Sequence, residues 1–232
     1  MISRFAVTLL LAVPGAAIRT AEMSPLATMI SGMAEVGTLD VKAMKVDKLV
    51  QALEQTAEIM KTQNFAEAAK ELNDNAQYLK GCPESTVDEC LTSEEHKHTL
   101  QTKQKPAALK GQTPAMGMFW SARILGFIGE MFKQVSQSKD LSTAALDAFK
   151  MRLTEAWSCS WTAPIDVATR KLVRSSLAGG LPTGEKAKEM IAKLGTTKEL
   201  SDFAESSLPL ADALWSAIKA HQLDGSYGYG CD

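Results

Sequence analysis

The sequence predicts an all-α domain, and three observations carry that expectation. Long windows rich in Ala, Leu, Met, Lys and Glu dominate the 232-residue chain, and these residues favour helix. Apolar residues recur at steps of three and four in stretch after stretch, the spacing of one helix face. No stretch alternates apolar and polar residues as a half-buried strand would, and no internal repeat is visible. About seven or eight helices fit this pattern. Apolar residues make up 45% of the chain, enough to build the core of one large domain or two small ones.

Taken in order, the chain begins with MISR, then FAVTLLLAVPGAA, then IRTAE. A short basic start, an apolar run and small residues at Ala16–Ala17 have the grammar of a secretory signal peptide over residues 1–17. The run is shorter than the ~20 apolar residues that span a bilayer, and Pro14 interrupts it. That leader places the protein in the secretory pathway, outside the cell or in an endomembrane-derived compartment. The other reading of the same residues is an N-terminal helix packed on the domain.

The helical domain is expected over residues 24–224, with a tail at 225–232. Leu26, Met29, Ile30 and Met33 form the first apolar set, and Gly37 breaks it. A long amphipathic helix is expected from Leu39 to about Met60, followed by Phe65 to Leu79. Residues 81–113 turn polar and rich in charge, Gly and Pro, which predicts a long loop or insertion with at most a short helix. Pro114 suits the first turn of the next helix. Leu146, Phe149, Leu153 and Trp157 mark another, from Leu141 to about Trp161. APIDVATRKLVRSSLAGGLP stops at Gly179, Gly180 and Pro182. GEKAKEMIAKLG closes at Gly195, and the last helix carries Phe203, Leu210, Leu214, Ile218 and Leu223, with Pro209 a point where it could split or kink.

Composition argues against several function classes. Formal net charge is −2, so attraction of the whole protein to nucleic acid is not expected. The three histidines are His96, His98 and His221, and no nucleophile elbow, zincin helix, P-loop or dinucleotide glycine pattern accompanies them. An enzyme is therefore not expected, nor a cofactor. His96 and His98 with Cys82 and Cys90 follow no ordered zinc spacing, so no metal is expected either. The four cysteines are Cys82, Cys90, Cys159 and Cys231. An even count behind a signal peptide permits disulfides, and Cys82 with Cys90 in one polar loop is the nearest pair. Three connectivities exist for four cysteines, and spacing does not choose among them.

Residues 118–135, MFWSARILGFIGEMFKQV, pose the sharpest question. Met118, Ala122, Leu125, Ile128, Phe132 and Val135 share one helix face, and Trp120, Ile124, Phe127 and Met131 a neighbouring one. Only Arg123, Gly126, Glu130 and Lys133 leave a polar stripe. A surface helix needs one buried face. The second face belongs either to a fully buried central helix or to the wall of an apolar cavity. Gly126 and Gly129 each cost about 1 kcal/mol relative to Ala, which suits close approach of a backbone or a ligand. Trp120 and Arg123 lie one turn apart and could form a headgroup platform, the ring for stacking and the guanidinium for charge-assisted bonds.

MGMFWSARILGFIGEMFKQV resembles the central helix of the glycolipid transfer protein superfamily. AMKVDKLVQALEQTAEIM resembles the upstream headgroup helix, most of all in plant ceramide-1-phosphate-type members. APIDVATRKLVRSSLAGGLPT is similar to the family's A-P-Y-H-x-W-x-x-R-K segment and its closing L-P-T, and LPLADALWSAIKAHQLDG to the last helix. The resemblance covers roughly residues 25–224 in matching order.

The resemblance implies a two-layer all-α sandwich of about eight helices around an apolar lipid pocket. It implies one bound sphingolipid or glycolipid, carried between membranes as cargo by a monomer that touches the membrane surface transiently. It sets the family's cytoplasmic habit against the leader. Trp120 and Arg123, Lys45 and Lys48, and Asp166 fall on the family's headgroup positions, while Phe127, Met131 and Phe132 would line the chain pocket. Trp120 matches the ring on which glycolipid-binding members stack a sugar. Two departures touch the polar site: the family's Asp falls on Val41, with Asp40 beside it, and the family's His falls on Asp166. Asp166 could accept from an amide N–H in the lost Asp's place. Lys171 aligns with the Arg that follows, and Arg170 stands next to it. Trp157, Trp161 and Trp215 read as core or as membrane-contact rings. A lipid-binding module that does not shuttle, and a filled-core scaffold without ligand, are the alternatives.

Overall fold

A computed structural model describes residues 23–62, 65–101, 112–153 and 181–223. The leader, the tail, Asp166, Arg170, Lys171, Trp157, Trp161, Cys159 and Cys231 lie outside the described residues. Among the described residues there are eight helices and no strand. They are α1 (Pro25–Glu35), α2 (Val46–Thr62), α3 (Ala66–Leu79), α4 (Val87–Gln101), α5 (Pro114–Ser136), α6 (Leu141–Arg152), α7 (Gly184–Leu194) and α8 (Thr197–Ala220). None is long and apolar enough to cross a membrane.

Most helix starts follow from local chemistry. Ser24 Oγ accepts from the Ala27 N–H at 3.0 Å and Pro25 opens α1, so both entry positions hold residues that suit an unsatisfied helix end. Thr113 and Pro114 repeat the arrangement at α5, with Thr113 Oγ1 accepting from Met116 N–H at 3.2 Å. The Asp140 carboxylate caps α6 through the Ser142 and Thr143 N–H groups. Thr196 and Glu199 form a reciprocal capping box at α8. The helix then runs unbroken through Pro209.

Besides α6, which ends at Arg152 and not near Trp161, two elements differ from the sequence expectation. The second helix begins at Val46, not near Leu39, and Leu39 is exposed. Thr38 Oγ1 accepts from Asp40 N–H, and Asp40 Oδ1 from Lys42 N–H, so short polar side chains hold the backbone in turns instead. Val46 N–H then donates to Ser85 O and Val87 N–H to Met44 O, which ties this stretch to the entry of α4. The second difference is α4 itself, 15 residues of helix inside the segment expected to be a loop. Thr86 and Glu89 cap each other's backbone at its start. Cys82 and Cys90 are joined by a disulfide. Val87, Cys90, Leu91 and Glu94 give α4 a short buried edge.

The centre of the molecule is α5. It packs most extensively against α8, then α3 and α6, with a smaller contact to α4. Every residue from Pro114 to Gln134 except Met116, Trp120 and Lys133 is buried. Both apolar faces are thus covered by other helices. Close approach depends on glycine at two positions. A Cβ on Gly117 would lie 2.7 Å from the Asn75 carbonyl oxygen of α3, and one on Gly129 only 2.4 Å from Ser207 Oγ of α8. The stripe expected to face water is also mostly covered: Arg123 and Glu130 are buried, and the Arg152 stem passes 3.4 Å from where a Gly126 Cβ would sit.

Candidate functional site

Trp120 and Arg123, one turn apart on α5, both approach the Phe119 ring near a junction of α5, α6 and α8. Trp120 is half-buried. Its ring meets that of Phe119 edge to face at 5.3 Å, and Phe119 meets Trp215 of α8 the same way at 5.4 Å. The Arg123 guanidinium carbon sits 3.4 Å from the centroid of the Trp215 ring. Arg123 Nη1 donates to the Arg152 carbonyl oxygen at 3.3 Å. That carbonyl belongs to the last residue of α6, where unsatisfied carbonyls carry partial negative charge. A buried cation needs such compensation, and the indole face adds to it.

A polar seam continues from there along α5. Arg152 pairs with Asp212 of α8 at 2.7 Å and lies 4.0 Å from Glu130. Glu130 Oε1 accepts from Gln134 Nε2 at 3.1 Å, Gln134 Oε1 accepts from Lys139 at 2.8 Å, and Lys139 pairs with Asp147 at 2.8 Å. The Lys139 ammonium, donating to Asp147, holds that carboxyl below its ordinary range, with Lys150 assisting. The seam explains how α5 tolerates charged residues in a buried stripe: each acceptor meets a donor.

The two lysines of the expected site, Lys45 and Lys48, lie just before and within the first turn of α2. Lys45 is exposed and precedes α2, where its backbone bridges to Thr86. Glu89 is held below the usual carboxylate range chiefly by the Thr86 hydroxyl and amide, with Ser85 and Lys45 adding to the effect. Lys48 is half-buried and donates to Gln51 Oε1 at 3.3 Å. Val41 is half-buried against the core, and its carbonyl accepts from Asp88 N–H. Asp40 and Val41 both precede α2, in the turns that lead to it. Phe127, Met131 and Phe132 are all buried on α5, and the Phe132 ring packs edge-on against Phe203 of α8 at 5.5 Å.

Sequence reasoning missed Arg152 and left Trp215 only as a core or membrane-contact ring. Nothing in the spacing of α8 signals that Trp215 meets Arg123, because the contact exists only once α5 and α8 are packed. A separate cavity of about 300 Å³ opens between the end of α1 and the middle of α8. Met33, Val36, Leu39, Pro209 and Leu210 line it, with Thr38 and Glu205 among the polar residues.

Among solved structures, the chain is similar to a point mutant of Arabidopsis ACD11 (accelerated-cell-death 11) complexed with ceramide-1-phosphate. The TM-score is 0.65 at 15% identity, over 89% of this chain and all of that one. It is also similar to FAPP2 in a study of how that protein selects simple glycosphingolipids using the GLTP-fold. There the TM-score is 0.58 at 14% identity, over 87% of this chain and 97% of that one. This chain has the GLTP fold. No family model and no curated protein matches the sequence.

Proposed function

We propose that this GLTP-fold protein binds one sphingolipid or glycolipid and carries it between membranes without chemical change. The observation that carries the reading is the junction around Trp120. A half-buried indole stands beside an arginine fixed on Trp215, which combines a stacking surface with a preset charge. That pairing suits a polar headgroup attached to an apolar body. Lys45, Lys48 and Asp166 are the further headgroup candidates, and Phe127, Met131 and Phe132 the candidates for the chain pocket. Covering a lipid chain is favourable by ~0.8 kcal/mol per CH₂ removed from water. The two similar structures, one with bound ceramide-1-phosphate and one concerned with simple glycosphingolipids, support the ligand class. The leader supports work in a secretory or endomembrane-derived compartment, as does the Cys82–Cys90 disulfide, a bond at home in oxidising surroundings.

The test is capture followed by transfer. The chain from about residue 18 is incubated with mixed membrane lipids, and native mass spectrometry identifies what stays bound. A sphingolipid or glycolipid is expected, weakened at least several-fold in Trp120→Ala. Movement of that lipid between donor and acceptor vesicles then separates a carrier from a module that only binds. A filled-core scaffold is the second reading, favoured by the way α3, α6 and α8 cover α5. Capture of no lipid would establish that reading and remove the first.

A further inference from the structure

The last helix contributes more to the junction than packing. Lys219 follows Trp215 by four positions on α8 and so shares its face. Its ammonium lies 5.9 Å from the centroid of the Trp215 ring, within the reach of a cation–π contact. Arg123 sits on the same ring at 3.4 Å. Phe119 meets that ring edge to face and lies 6.0 Å from the guanidinium. One indole is therefore addressed by two cations from two helices. Arg123 is buried and fixed, whereas Lys219 is exposed on a flexible stem. The nearby carboxylates of Asp212 and Glu130 are engaged with Arg152, which leaves Arg152 compensated within the seam. Two cations that approach one ring repel each other, and an anion within reach of both lowers that repulsion.

We propose that Trp215 and Lys219 belong to the headgroup site. Trp215 is a positioning residue that fixes the Arg123 guanidinium. Lys219 is a second cation that swings onto an anionic oxygen of the headgroup, such as a phosphate or sulfate ester. This rests on the lipid-binding reading above and goes beyond it in residues and in charge preference. The competing role for Lys219 is purely helical, since a cation in the last turn favours the helix C-terminus. That role would change the melting temperature and not the choice of lipid.

The test compares ceramide-1-phosphate and sulfatide with the neutral glucosylceramide, each in phosphatidylcholine vesicles, using equilibrium binding at low and high salt. Lys219→Ala is expected to weaken the anionic lipids about tenfold, the scale of one charge-assisted bond, and glucosylceramide less than twofold. Lys219→Arg is expected to restore the anionic lipids. Trp215→Leu keeps apolar bulk and removes the π face, and it should shift preference toward the neutral lipid. Melting curves of each variant control for folding, which the exposed Lys219 makes secure. Wild-type binding with unchanged affinities in Lys219→Ala and Lys219→Glu would overturn the assignment alone. A wild-type chain that binds none of the three lipids would overturn the lipid-binding reading and the assignment with it.

Discussion

Gly129 shows how much one side chain decides in this molecule. The space a methyl group would need is held by Ser207 Oγ at 2.4 Å and Leu208 Cγ at 3.0 Å. Gly129→Ala gains helix propensity but pushes α5 and α8 apart, and overpacking of this kind costs about 1–3 kcal/mol. Urea unfolding of Gly129→Ala should show a lower midpoint at an unchanged slope, and a rise in stability would contradict the packing described. Glu199 makes a different point. Its carboxylate accepts from Ser24 Oγ at 2.5 Å and from the Thr196 N–H and hydroxyl, so it joins the start of α1 to the start of α8. Those bonds, Ser24's first, hold its pKa below the ordinary glutamate value. A depressed carboxyl contributes stability that is present above its unfolded pKa and lost as pH falls through the folded one. Melting temperature between about pH 5 and pH 3 should therefore fall less steeply in Glu199→Gln than in the wild type. Parallel slopes would remove Glu199 from the acid response.

At the scale of elements, α4 is a helix held by others. Its buried edge is short, so intrinsic amphipathicity does little for it. The disulfide fixes its first turn. His221, at the end of α8, lies 2.7 Å from Glu95 and 3.3 Å from Asp88 through its two ring nitrogens. Buried Glu94 pairs with Lys97 at 2.8 Å and accepts from Ala115 N–H at 3.4 Å, which places a carboxylate at the positive end of α5. Glu94→Ala should destabilise the protein by about 1–2 kcal/mol, whereas Glu94→Gln keeps an acceptor for Ala115 and should lose less. Denaturant midpoints distinguish the two. Replacing Cys82 and Cys90 by serine should cost about 2 kcal/mol, because the closed loop is short. Amide exchange should accelerate in α4 before it does in α5. Uniform acceleration would mean that α4 is part of the core and not tied on to it.

At the scale of the whole molecule, α5 and α8 form the spine, with α3 and α6 on the flanks of α5 and α1 closing on α8. A ligand that binds only this folded arrangement must stabilise it. At a free concentration one hundred times its dissociation constant the gain is about 2.7 kcal/mol. Thermal unfolding with and without saturating sphingolipid should show that shift, and Trp120→Ala should shrink it. An unchanged melting temperature in lipid that demonstrably binds would place the lipid on the unfolded chain or on the surface at large.

The sequence by itself determined the class of the molecule and most of its helices. Periodic apolar residues, the Thr113–Pro114 entry, the Thr196–Glu199 box and the Gly195 stop act within a turn or two, so they can be read without knowing the fold. It also determined that Trp120 and Arg123 stand one turn apart. Packing alone decided the rest. The polar composition of α4 hid a helix because its anchors, His221 and the amide of Ala115, come from other elements. Lys45 stands before α2 and not within it, because turns formed by Thr38 and Asp40 replace the start of the helix expected there. Arg123 acquired Trp215 and the Arg152 carbonyl only when three helices met. Local hydrogen bonds and periodicity are properties of neighbours in sequence, whereas a buried charge is compensated by whatever the tertiary structure brings within a few ångströms of it.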